Sequence, residues 1–219
     1  MSKRKIWISG IKDGIPIGLG YLAVSFAFGI QAEAIGLQPW QAALMSLTNV
    51  TSAGQFAALG MIAAGASYWE IALTQLVLNL RYCLMSCVLS QKLERDAGLG
   101  HRFGIAFGVT DEIFALSSLH PGALSPFYTY GLMTAAIPGW VLGTFLGVIS
   151  GDLLPGNIVS ALGLAIYGMF IAIIIPPAKR DKVVLKVVLA AMLLATLFVV
   201  IGMAAFLTLI AGDGVYERT

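Results

Sequence analysis

The sequence predicts an all-α protein, a polytopic membrane helix bundle, and three observations predict it. Of 219 residues, 58% are hydrophobic and only 11% are charged, where a water-soluble domain carries about a quarter charged residues. The mean hydropathy is +0.89. The 13 Lys and Arg and the 11 Asp and Glu gather in brief polar stretches, and the apolar runs between them approach the ~20 residues that a bilayer-spanning helix requires. This composition excludes a soluble globular enzyme, a disordered chain and a disulfide scaffold. A net charge of +2 leaves no basic stripe for nucleic acid. One integral membrane domain over 1–219, embedded in the lipid bilayer and calling for no cofactor, is the expected organisation.

Seven apolar segments follow one another. The first, 14–36, comes after Lys3, Arg4 and Lys5 and so imitates a signal peptide, but no small-residue cleavage site ends it. It is expected to be an uncleaved span, with Glu33 near its far interface. The second, 40–64, holds Ser46, Thr48, Asn49, Thr51, Ser52 and Gln55, which at about 100° per residue point to nearly every side of a helix. Lipid cannot surround such a helix, and irregular backbone at membrane depth is tolerated only inside protein or beside a watery cavity. A discontinuous helix, eased by Gly54 and Gly60, is therefore expected here. Asn49-Val50-Thr51 is a glycosylation sequon by accident of composition.

The third segment, 68–90, sets Gln75, Asn79, Tyr82 and Ser86 on one helix face, with Arg81 about 200° round from Asn79. Either this helix unwinds near Asn79, or its two faces meet different neighbours. Cys83 and Cys87 stack on one face and read as small packing side chains. The fourth segment, 103–119, carries Asp111 and Glu112. The fifth, 127–150, leads a row of Gly139, Gly143, Gly147 and Gly151, whose fourfold spacing is that of close helix packing. The sixth and seventh are 157–177 and 183–211.

Basic residues cluster at Lys3 to Lys12, at Lys92 to Arg102 and at Lys179 to Lys186. Positive charge collects on one side of a membrane, which asks for an even number of crossings between clusters although each interval holds three segments. One segment per interval is then re-entrant or split. The alternative is an inverted 3+3 repeat of plain crossings over 10–92 and 100–178, followed by the final segment 183–211. Gly14-Ile15-Pro16-Ile17-Gly18 recurs loosely as Gly104-Ile105-Ala106-Phe107-Gly108, in keeping with the duplications that transporters use.

Ionisable groups at bilayer depth need a partner or a function. Arg81 is too deep to reach either surface, and its guanidinium grips carboxylates through paired hydrogen bonds. Its partner is either Asp111 or Glu112, or the carboxylate of a substrate. Asp111 has Gly104, Gly108, Ala115 and Ser118 around it and faces a cavity, whereas Glu112 shares its side with Ile105, Val109, Leu116 and Leu119. Away from water a carboxyl group favours its neutral form and a nearby arginine restores the charged one. Displacing Arg81 would therefore switch the protonation of Asp111, which is the least chemistry that proton coupling needs.

These residues stand in a recognisable set. Lys12-Asp13 with Pro16, Ala23-Val24-Ser25-Phe26-Ala27-Phe28-Gly29, Ser52-Ala53-Gly54-Gln55-Phe56, Asn79-Leu80-Arg81-Tyr82 and Phe107-Gly108-Val109-Thr110-Asp111-Glu112-Ile113-Phe114-Ala115 together resemble the azaleucine-resistance (AzlC-like) branched-chain amino acid permeases, over roughly residues 10–180. Many relatives read Gly-Ala-Ser-Gln-Phe where this chain has Ser-Ala-Gly-Gln-Phe, and many have a proline near 164–169. The resemblance implies the large subunit of a two-component exporter of leucine, isoleucine and valine, extending to methionine, working with a small AzlD-like membrane subunit.

A zwitterion with an apolar tail asks for a cation or helix N-terminus, for an acid or amide, and for an apolar wall. Arg81 or the amides near Gly54 and Gln55 fit the first need, Asp111 and Asn79 the second, and Phe56, Phe107 or Phe114 the third; Asn49 and Ser52 complete the expected substrate-binding set, and Asp111 and Glu112 are the proton-coupling pair. A membrane-embedded enzyme is the rival class. It lacks a His-Glu-x-x-His pair, a Gly-x-Ser-x-Gly elbow and a P-loop, while His101 and His120 lie far apart at segment ends. An uncoupled channel or structural subunit is the other rival.

Overall fold

The computed structural model describes residues 2–151, 171, 175, 178–179 and 182–216, with side chains described as far as 201. The sixth apolar segment, with its missing proline, and the last basic cluster fall largely outside these residues. The described residues are helical and contain no strand. The first compact unit, 1–167, holds α1 (Lys3–Ala34), α2 (Pro39–Thr48), α3 (Ala53–Ala63), α4 (Tyr68–Lys92), α5 (Leu99–Gly108), α6 (Asp111–Leu119) and α7 (Pro126–Ser150). The second unit, 168–219, holds α8 (Lys182–Tyr216), a helix whose exposed Leu189, Leu193, Leu197 and Phe198 suit a span. Four helices, Lys3–Ala34, Tyr68–Lys92, Pro126–Ser150 and Lys182–Ile201, are long and apolar enough to cross a membrane.

Glycine decides how the first unit is assembled. Along α1 and α7 the backbones touch at successive turns, so that a Cβ on Gly10 would stand 2.1 Å from the Tyr128 carbonyl oxygen, one on Gly139 2.3 Å from that of Gly18, and one on Gly147 2.2 Å from that of Phe26. Contact partners rise together in number, so α1 and α7 run parallel. Without side chains in the way, backbone dispersion and weak contacts hold helices that the hydrophobic effect cannot drive together in lipid. The fourfold glycine row expected in α7 is therefore one half of a two-helix seam.

Two helical hairpins lean on this pair from opposite ends. Ala42 of α2 packs with Phe28, Ala32 and Val148 near the C-terminal ends of α1 and α7, and Leu59 of α3 joins the same cluster. Between them the chain reaches mid-span, where Ser46 meets Thr144 at 2.7 Å and Trp140 donates to Gln55 at 2.6 Å. The expected break in 40–64 lies at Asn49–Ser52, and α2 and α3 enter and leave on the same side. Helix α4 then crosses, so that Lys92 and Leu124 join through the Leu124 N–H, at 2.9 Å, near the start of α7.

The second hairpin corrects an expectation. Residues 103–119 read as one segment, but they are α5 and α6, broken at Val109–Thr110. Helix α5 enters past Tyr130, which its His101 contacts at 3.1 Å, and α6 leaves with Ser117 sharing a bond of 3.3 Å with Thr129. Thr110 caps α6 by accepting from the Ile113 N–H at 3.3 Å, with Asp111 and Glu112 in the first turn, an arrangement that starts a helix.

A helix long and apolar enough to cross a membrane, followed by a hairpin of two short helices, thus occurs twice, with α1 and α4 antiparallel. Between the first two basic clusters this is the pattern of the reading with one split segment, and Lys3, Arg4 and Lys5 lie at the same end of the unit as Lys92 and Arg95. Gly14–Gly18 and Gly104–Gly108 fall in elements of different kind, a long spanning helix and a half-helix. With Cys83 and Cys87, both free and exposed, replaced by alanine, single cysteines test this topology. Cysteines at Ala34 and Ala64 are expected to react with an impermeant maleimide from one side of the membrane, and those at Ser2, Asp96 and Pro121 from the other, at least tenfold faster than from the wrong side. Ala64 and Asp96 labelling from the same side would refute it.

Candidate functional site

The hairpin tips converge beside the middle of α4, where one helix face serves each. On one face Gln75 donates to the Gly54 carbonyl at 2.8 Å, and Asn79 donates to Gln75 at 3.1 Å. A Cβ at Gly54 would lie 2.5 Å from the Thr51 hydroxyl, 2.7 Å from the Gln75 oxygen and 3.2 Å from the Asn79 nitrogen. Glycine at this position is what lets two amide side chains reach the head of α3. On the other face Arg81 donates from Nη1 to Asp111 Oδ2 at 2.7 Å. Its Nη2 donates to Tyr82 Oη at 3.2 Å, and the guanidinium lies 4.9 Å from the Tyr82 ring centre. Helix α4 is continuous over Tyr68–Lys92, so the helix does not unwind at Asn79 and its two faces meet different hairpins.

The two hairpins differ in electrostatics. The first turn of α6 carries two acids and a threonine cap. The first turn of α3 has no acid, and Ser52 forms no side-chain cap. A helix N-terminus concentrates partial positive charge and unpaired N–H groups, so the head of α3 is an unneutralised anion-favouring end at mid-span. Next to it, Asn49 accepts from the Thr51 hydroxyl at 2.5 Å. Phe56 packs edge-to-face on Phe28, ring centres 5.3 Å apart.

A line of buried polar groups joins the two tips. The Tyr21 hydroxyl on α1 lies 2.6 Å from that of Thr110 and also bonds the Glu112 carboxyl. Its ring meets Trp140 of α7 edge-on at 5.3 Å. Trp140 Nε1 donates to Gln55, whose Nε2 donates to Ser46 at 3.1 Å. Tyr21, Trp140, Gln55, Ser46 and Thr144 are all buried, and deep polar groups persist where each finds a partner.

Comparison with known proteins shows the family. The family profile described as AzlC protein matches residues 16–154. The chain belongs to the AzlC family. Its relatives include the inner membrane protein YgaZ of Escherichia coli strain K12, 30% identical over 183 residues that cover 80% of this chain and 75% of YgaZ. A membrane protein of Archaeoglobus fulgidus is 32% identical over 185 residues, 84% of this chain and 81% of its own. A membrane protein of Helicobacter pylori is 27% identical over 154 residues, 67% of this chain and 66% of its own. No solved structure matches.

The AzlC-matched span contains both breaks, the ion pair and the glycine seam from Gly18 onward. Within it the chain brings together Asn49, Ser52, Gly54, Gln55 and Asn79 at one tip, and Arg81, Asp111 and Glu112 at the other. The Arg81 side chain is 38% exposed and that of Asp111 18%, so the pair is reachable from outside the chain. The two described clefts lie elsewhere, one of about 450 Å³ with Ser86, Leu89, Arg102 and Phe103 in its wall, and one of about 420 Å³ among Lys3, Arg4, Trp7, Phe127 and Tyr130. Phe107 is 58% exposed on α5 and takes no part in the polar network. Among the described residues no group of His, Cys, Asp and Glu is placed to hold a metal ion.

Tyr21, Trp140 and Thr144 are the residues that sequence reasoning misses. Each stands in an apolar run and reads as core. Only the general need of a buried phenol or indole for a hydrogen-bond partner points to them. Thr110 carried a legible signal, a threonine followed at once by two acids, the pattern of a helix start.

Proposed function

We propose that this AzlC-family membrane protein is a secondary active exporter of branched-chain amino acids, leucine, isoleucine and valine, extending to methionine. It works with a small AzlD-like membrane subunit and draws on the proton gradient. The observation that carries the reading is the approach of two half-helix heads to the middle of α4, one without counter-charge and one bearing two acids, of which Asp111 is paired to an arginine. Broken helices whose ends face a midplane site are the usual construction of a transporter. The α3 head, with Gln75 and Asn79 at hand, suits the carboxylate of a zwitterion, or Arg81 takes it in exchange for Asp111. Asp111, once released from Arg81, suits the ammonium, and Phe56 offers apolar wall. Asp111 and Glu112 are the acids through which protons couple.

The basic clusters on one face support a cytoplasmic N-terminus in a bacterial cytoplasmic membrane, in keeping with the name of the Escherichia coli relative. Cells fed a valine-containing dipeptide test the assignment. Those with this gene and its small partner are expected to hold several-fold less intracellular valine than cells without them. Equal accumulation would remove the amino acid assignment.

A further inference from the structure

Asp111 and Glu112 are neighbours in sequence with unlike surroundings. Asp111 has a guanidinium at 2.7 Å. Glu112, partly buried on the side of α6 turned to α1, makes no ion pair among the described residues. Its carboxyl faces the Tyr21 hydroxyl, the Thr110 hydroxyl and its own backbone N–H. A carboxylate held away from water without a counter-charge is costly, while the neutral acid is readily accommodated.

We propose that Glu112 is the site that takes up the coupling proton, and that Tyr21 and Trp140 relay its state to Gln55 at the head of α3. The inference rests on the transporter reading above and names the group within it that loads. The geometry is that of a two-position switch, because Tyr21 has one hydroxyl proton and two oxygens within reach. With Glu112 charged, Tyr21 donates to the carboxylate. With Glu112 protonated, the acid donates to the Tyr21 oxygen and Tyr21 turns its proton to Thr110. The bond made or broken is the carboxyl O–H, and its proton is exchanged with water at the partly exposed acid.

Tyr21 is 4% and Trp140 1% exposed, with rings in edge contact at 5.3 Å. In an interior packed to this density a shift of one ring is felt by the other. Trp140 in turn holds Gln55 at 2.6 Å, and Gln55 is wholly buried in the first turn of the uncapped helix.

Other titratable groups nearby have other partners. On α4, Arg81 pairs with Asp111 and donates to Tyr82. On α7, Tyr128 donates to Asp13 at 2.9 Å and Tyr130 meets His101 at 3.1 Å. At the far end of α6, Lys92 donates to the Ser118 carbonyl.

Trp140 is its own reporter. Trp7, Trp40 and Trp69 are 36%, 64% and 85% exposed and can be replaced by phenylalanine in the full-length protein held in lipid nanodiscs. With protons as the only probe, Trp140 emission is expected to pass through one transition between about pH 4 and about pH 9, the range that free and buried carboxyls span. Glu112→Gln, isosteric and still an acceptor for Tyr21, is expected to abolish it. Tyr21→Phe is expected to reduce its amplitude at least fivefold at unchanged helicity, and Asp111→Asn to retain it.

Absence of a transition, its survival in Glu112→Gln, its full amplitude in Tyr21→Phe or its loss in Asp111→Asn would each overturn the proposal. Valine accumulation judges the transporter reading separately. A protein that fails to export valine and yet shows these Trp140 responses refutes the substrate and keeps the switch, and the converse result does the reverse.

Discussion

Gly147→Leu is expected to leave almost no folded protein in the membrane. The added Cβ alone would stand 2.2 Å from the Phe26 carbonyl oxygen and 2.9 Å from the Gly29 Cα. Both obstacles are backbone, which cannot step aside by changing rotamer, so the helices must part along their length. Overpacking of cores that can adjust costs about 1–3 kcal/mol, and this site cannot adjust. Gly20→Leu is the matched control, since nothing lies within 4 Å of a Cβ built there. Detergent extraction followed by size-exclusion chromatography is expected to show a monodisperse peak for Gly20→Leu and less than a tenth of it for Gly147→Leu. Comparable peaks would mean that the α1–α7 seam does not hold the bundle.

Asp111→Asn is expected to lower uphill valine export at least tenfold and valine exchange across the membrane by a smaller factor. Asparagine fills the same volume and still accepts from Arg81, but it has no charge with which to balance the guanidinium or to receive a substrate ammonium, so a proton taken up at Glu112 no longer drives that exchange of partners. Arg81→Gln is expected to be more damaging, reducing exchange as well. It strands a carboxyl at membrane depth without its cation and removes the group that a substrate carboxylate would address. Vesicles preloaded with labelled valine, with and without a pH gradient, separate the two effects. A passive pore would conduct equally in Asp111→Asn and in the parent, and that result would exclude coupling through this residue.

The fold was legible where polar residues offend an apolar run. Ser46, Thr48, Asn49, Thr51, Ser52 and Gln55 cannot all face lipid-shy surroundings on one straight helix, and the break stands among them. The second break was hidden because Phe107, Gly108 and Val109 continue the apolar run up to Thr110, so that Asp111 and Glu112 read as mid-helix charges. They are the opening turn of α6. The separation of Asp111 from Glu112 could be inferred from helix angles, since adjacent residues diverge by about 100°. That Glu112 meets Tyr21 could not, because the contact joins residues 91 apart in sequence. Likewise the glycine row of α7 announced a close neighbour, but identifying it as α1 depends on tertiary pairing that no local pattern encodes.

The glycine seam also restricts how this protein can work. Two parallel rods whose main chains interlock at repeated turns cannot slide or tilt past each other without collisions all along the joint. In the exporter proposed above, opening first to one compartment and then to the other is therefore not expected from rocking these two rods against each other. On that reading the motion is expected of the short half-length arms that reach in from either face, with the pair as a stationary mast and the arms as the moving gear.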